Sequence, residues 1–127
     1  MTEQVQNSTG FDRVLHFTLP DRNARGRAVR LGPVLDTVLS AHAYPAPIRQ
    51  LLAEALAVTA LLGALLKDQE GQLTIQAQTQ DGVIDLLVCD YRNGELRGHI
   101  RHDRARLDEL GPAPSLFALF GLSLIHI

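Results

Sequence analysis

The sequence predicts an α+β fold: an antiparallel sheet meander packed against a long central helix and a shorter helix. Three observations carry that expectation. Short strand-like segments run up to Pro20 and Gly32, a nearly all-apolar helical stretch follows Pro47, and beyond Gly71 the hydrophobic period falls to two, punctuated by the turn residues Asp81, Gly82, Asn93 and Gly94. Strands, then two helices, then a run of antiparallel strands favour a layer in which the long helix covers the apolar face of a sheet.

Each element follows from local chemistry. Over 11–19, Phe17 and Leu19 continue an alternation that Val14 and Leu15 interrupt, a strand that stops at Pro20. The segment DRNARG turns the chain. RGRAVRL sets Arg27, Val29 and Leu31 against Ala28 and Arg30, a strand that lays arginine stems along a surface. Pro33 suits the first turn of a short helix, with Val34, Leu35, Val38 and Leu39 at helical spacing up to the break at 42–45. Pro47 begins the second helix, apolar nearly all round, whose roughly 20 residues at 1.5 Å each span about 30 Å, the width of the domain. QLTIQAQ opposes Leu73, Ile75 and Ala77 to Thr74, Gln76 and Gln78, a half-buried strand. VIDLLVCDY and ELRGHIRHD continue the meander, the latter with Leu96, Gly98 and Ile100 on one face and Arg97, His99 and Arg101 on the other. Past Arg104, the apolar Leu107, Leu110, Leu116, Phe117, Leu119 and Phe120 have no following element to cover them, so the domain reads as unfinished.

At 127 residues the chain fits one domain, a size that buries roughly two thirds of its unfolded surface. A composition 46% hydrophobic and 20% charged is that of a folded protein. The net charge of -2 gives no general attraction to nucleic acid or acidic membranes, and Lys67 is the only lysine. The apolar run 55–66, about 12 residues, is short of the roughly 20 that cross a bilayer, so no membrane partner is expected. MTEQVQNSTG has no basic segment followed by an apolar run; 1–10 are expected to form a flexible tail and the protein to be cytoplasmic. The single cysteine, Cys89, excludes an internal disulfide framework and cannot alone make a four-ligand zinc site.

The chain offers no catalytic, cofactor-binding or metal-binding constellation, and no enzyme activity is expected. Cys89 sits in LLVCDY, where a buried strand position makes it a small hydrophobe rather than a reactive thiol. The odd spacing of His99 and His102 sends them to opposite strand faces, His16 has no ligand cluster nearby, and His42 belongs to a turn. Asp81, Asp85 and Asp90 are spread over a turn and a strand without convergence. GxSxG, GxxxxGK[ST] and HExxH are absent. The arginines Arg25, Arg27, Arg30, Arg97, Arg101, Arg104 and Arg106 are the one suggestive charge set: on adjacent strands they would make a phosphate-tracking patch, which supports the alternative of a small arginine-faced nucleic-acid-binding module, although no aromatic interleaves with them.

The run RGRAVRLGPVLDTVLSAHAYPAPIRQLLAEALAVTALLGALLK, followed by GQLTIQAQTQDGVIDLLVCDY and GELRGHIR, resembles the N-terminal domain of the 33-kilodalton heat-shock protein family, the redox-regulated holdase chaperones of bacteria. The likeness covers 11–121. Its most telling pieces are the Arg-Gly before the first helix, Tyr44-Pro45 between the helices, the stretch 76–82, and Leu96, Arg97 and Gly98. The resemblance implies a cytoplasmic chaperone that holds unfolded client proteins under oxidative and heat stress without ATP, and a homodimer on activation. It also implies a separate C-terminal domain whose four cysteines bind zinc; that zinc is expected in the full-length protein and not in this chain, since Cys89 matches none of the four. The family's chain continues after SLFALFG into another strand, so an unpaired edge and a partly open core are expected here. Residues 122–127, GLSLIHI after its first glycine, lie past the likeness and are expected to be non-native read-through.

Overall fold

The structure is a computed structural model that describes residues 2–4 as backbone, together with 12–66 and 71–121. Two three-stranded antiparallel sheets, rather than a single one, enclose a central helix. The first contains β1 (Thr2–Gln4), β2 (Arg13–Leu19) and β3 (Ala24–Arg30), in that order. β2 ends where Pro20 forces a short 3-10 turn over Pro20–Arg22, closed by Asn23 in the left-handed region at φ 50. β1 lies within the stretch expected to be a polar tail; it takes strand backbone against the free side of β2, Glu3 opposite His16. The other residues of that stretch, and 122–127, lie outside the described residues.

Gly32 then leads into α1 (Pro33–Ser40), and Pro45 into α2 (Ala46–Gly63), with Pro33 and Pro47 in the opening turns, where a missing N–H costs nothing. The α1 N-terminus is held from a distance: the Asp12 carboxylate accepts the Gly32 N–H at 2.7 Å and the Val34 N–H at 3.1 Å. α2 buries Ile48, Leu52, Leu56, Thr59, Ala60 and Gly63 and packs on β3 of the first sheet and on all three strands of the second. At 18 residues and mean hydropathy 1.2 it is long and apolar enough to cross a membrane, but here it fills the space between two sheets.

The second sheet is the expected meander: β4 (Gln72–Gln78), β5 (Ile84–Arg92) and β6 (Glu95–His102). Asn93 at φ 51 and Gly94 at φ 78 make the tight turn between β5 and β6. Between Ile84 and Leu86 the pairing with β6 slips by one residue, so both Ile84 and Leu87 reach the core despite their odd spacing, and Asp85 is left beside Arg101. β6 carries Gly98 where a Cβ would stand 3.0 Å from Leu52 and Leu56, which lets α2 lie close to the sheet.

The C-terminal segment covers some of the apolar residues past Arg104 and leaves others exposed. α3 (Arg104–Glu109) and α4 (Leu116–Phe120) fold back over the start of β5, capped by Asp103 and Ser115. Asp103 donates its N–H to Val83 at 2.8 Å, and the Arg106 guanidinium reaches the carbonyl of Asp81 at 2.6 Å. Leu107 and Leu119 are thereby buried, and Phe120 packs on the core. Leu110, Leu116 and Phe117 stay exposed.

Candidate functional site

The outer face of α2 presents an unusual surface. Val58 and Leu62, with Leu65 in the turn just past the helix end, recur at helical spacing and are 49%, 41% and 49% exposed, while Leu56, Thr59, Ala60 and Gly63 face the core. An aliphatic stripe of this kind offers non-directional, sequence-tolerant contacts to other apolar groups. Leu116 and Phe117 form a second exposed apolar spot on α4. The stripe was legible in the spacing, but a helix apolar all round does not reveal which side the sheets will leave uncovered.

The candidate chemical groups are held in structural roles. Cys89 is fully buried under α2, and that burial pushes its thiol up to about 11, against a smaller lowering by the Thr59 hydroxyl. His102 is held below its usual value, first by desolvation and then by the Arg104 charge. His99 stands on the opposite face, its Nδ1 3.2 Å from the Tyr44 hydroxyl and its ring 5.1 Å from that of His42. Sequence reasoning gave Tyr44 no role; it is buried, and its hydroxyl also accepts the Ile100 N–H at 3.4 Å, tying the inter-helix turn to β6. The His16 Nδ1 accepts from Arg27 at 3.2 Å. Among the described residues no group of three His, Cys, Asp or Glu is arranged to hold a metal ion.

The carboxylates do not converge. Asp85 pairs with Arg101 at 2.9 Å, Asp90 accepts from the Thr74 hydroxyl, and Asp81 contributes its main-chain carbonyl to Arg106. The arginines are not on adjacent strands as the patch requires: Arg25, Arg27 and Arg30 lie on β3, Arg97 and Arg101 on β6, in different sheets. Among the clefts that the described residues line, two are notable. One of about 310 Å³ is lined by Asp12, Val14, Val34, Ala60, Tyr91 and Leu96. The other, about 400 Å³, is polar and is lined by Gln72, Asp90, Arg92, Asn93, Glu95 and Arg97 of the second sheet and its β5–β6 turn. Neither contains a cysteine, serine or histidine to act as nucleophile or base.

Residues 12–121 match the family model described as Hsp33 protein. The 33 kDa chaperonin of Caulobacter vibrioides (strain NA1000 / CB15N) is 47% identical over 93 residues, 72% of this chain and 30% of the relative. That of Shewanella sediminis is 38% identical over 111 residues, 87% of this chain and 37% of the relative. That of Pasteurella multocida is 37% identical over 127 residues, 100% of this chain and 41% of the relative. The chain therefore spans 30% to 41% of the length of these relatives.

Proposed function

The chain belongs to the Hsp33 family, and on that premise we propose that it is the client-holding part of an ATP-independent chaperone that binds unfolded polypeptides during heat and oxidative stress in the bacterial cytoplasm. The family match over 12–121 carries the reading. The exposed α2 stripe supports it, because a holdase needs apolar surface that many unrelated sequences can contact. The reading assigns the chain no catalytic step. Redox control by a zinc module would draw its cysteines from outside this sequence, since the only cysteine is the buried Cys89.

The test is light scattering from a heat-unfolding client protein. The chain is expected to suppress scattering at equimolar ratio without added nucleotide. The triple variant Val58→Thr, Leu62→Gln, Leu65→Gln should melt within a few degrees of the parent, as surface changes do, yet suppress scattering several-fold less. A parent chain that leaves the scattering curve unchanged overturns the reading.

A further inference from the structure

The corner between α1 and α2 is tied to the edge of β6 by side chains. His42, Tyr44 and His99 meet there: the His42 ring lies 5.4 Å from that of Tyr44 and 5.1 Å from that of His99. The Tyr44 hydroxyl accepts the Ile100 N–H at 3.4 Å and stands 3.2 Å from His99 Nδ1. His42 is exposed and His99 half-buried, whereas Tyr44 and Ile100 belong to the core. All four are within the described residues, and each contact is made by groups that are present.

Proton counting sets the roles. A phenol hydroxyl has one hydrogen to give. The Tyr44 oxygen already accepts from Ile100, and the acceptor in reach of its hydrogen is His99 Nδ1. The network thus assigns His99 a neutral ring with Nδ1 bare and the hydrogen on Nε2. An imidazolium carries hydrogens on both nitrogens. Protonating His99 turns Nδ1 from acceptor to donor, so two hydrogens oppose each other across the gap unless the hydroxyl rotates, and rotation leaves its buried hydrogen without a partner. His42 adds to the effect. A charged His42 is compatible with the face of the Tyr44 ring, but a second charge on His99, 5.1 Å away, repels the first.

The fixed charges nearby are balanced. Along β6, Glu95, Arg97 and Arg101 share the face of His99. Across on β5, Arg92 stands opposite Glu95 and Asp90 opposite Arg97, Asp85 pairs with Arg101, and the partner of His99 itself is the apolar Val88. α1 brings only Asp36, and α2 only Arg49 and Glu54, all exposed. The groups that change charge between pH 8 and 5 are therefore the imidazoles.

We propose that this cluster is an acid-released latch: protonation of His99 frees Tyr44 from Ile100, so that the α1–α2 corner opens and the β6 edge beneath it meets water. A group that the closed form needs uncharged withdraws its contribution as the pH falls, so the latch is shut at neutral pH and open in acid. It stands on these contacts and not on the chaperone reading.

The experiment is amide hydrogen exchange on the chain at pH 7.5 and pH 5.0, read as protection relative to the intrinsic rate at each pH; imidazoles change charge between these values while carboxylates stay ionised. Protection of the Ile100 amide should fall about tenfold or more at pH 5.0 while the amides of β5, the central strand, keep theirs. Unchanged protection at Ile100, or an equal loss in β5, overturns the proposal. In His99→Asn the side-chain oxygen stands in for Nδ1, accepts the Tyr44 hydrogen and is uncharged at either pH, so Ile100 should be as protected at pH 5.0 as at pH 7.5. Loss that persists in a folded His99→Asn chain assigns the effect to another imidazole, such as His102 two residues beyond Ile100, and overturns the latch. Tyr44→Phe removes the hydroxyl and should leave Ile100 weakly protected to the same degree at both pH values; a folded Tyr44→Phe chain that keeps the parent's pH dependence also overturns it. If neither variant folds, the contrast between Ile100 and β5 in the parent decides.

Discussion

Cys89 ties stability to pH with a definite sign. Its thiol ionises near 9.0 when unfolded but only at about 11 beneath α2. Between those values the unfolded chain gives up the proton first, so stability present below pH 9 is lost as the pH rises toward 11, by about 3 kcal/mol at 1.4 kcal/mol per unit. Denaturant unfolding at pH 8 and pH 11 should show that loss in the parent and a smaller one in Cys89→Ala; equal losses would refute the assignment. His102 acts in the opposite sense, since its folded pKa is lowered: its contribution is intact above pH 6.5 and fades as the pH falls. Asp12 is a third single-residue lever. Asp12→Ala leaves the Gly32 and Val34 N–H groups without their acceptor and should cost about 1–2 kcal/mol in thermal or denaturant melts. The burial of Cys89 was readable from its apolar neighbours, whereas the partners of Asp12 lie 20 and 22 residues away, beyond any periodicity.

Among the elements, α2 is closely fitted near its C-terminus. Gly63 faces the ring of Tyr91, and a methyl group there would overlap it. Gly63→Ala gains up to about 1 kcal/mol of helix propensity but forces the ring aside, and overpacking of that kind costs about 1–3 kcal/mol. The variant is expected to melt lower than the parent, and a higher melting temperature would show that Tyr91 has room to move. α1, α2, β2 to β6 and the turn at Asn93 were legible, because proline, glycine and the two hydrophobic periods mark them locally, whereas α3 and α4 were read only as apolar residues without cover. The slip at Asp85 was not. VIDLLVCDY is apolar at consecutive positions, so its pattern is equally consistent with a regular strand, and only pairing with β6 reveals the extra residue.

At the scale of the whole molecule, α2 packs against strands of both sheets, so the two should lose structure together. Leu56→Ala, at a fully buried position, is expected to cost about 2–5 kcal/mol and to speed amide exchange in β2–β3 and β5–β6 alike; loss confined to one sheet would show that they unfold separately. The division into two sheets escaped the sequence because β3, with its arginines and only Gly26 and Val29 half-buried, has no clean apolar face to say what it packs on. Every strand pairing here joins neighbours in the sequence. The consequence is kinetic: each sheet can zip from its own turn as soon as that turn has formed, and the slower step left is closing α2 between the two finished sheets, a search over residues far apart in the sequence such as Tyr44 and Ile100.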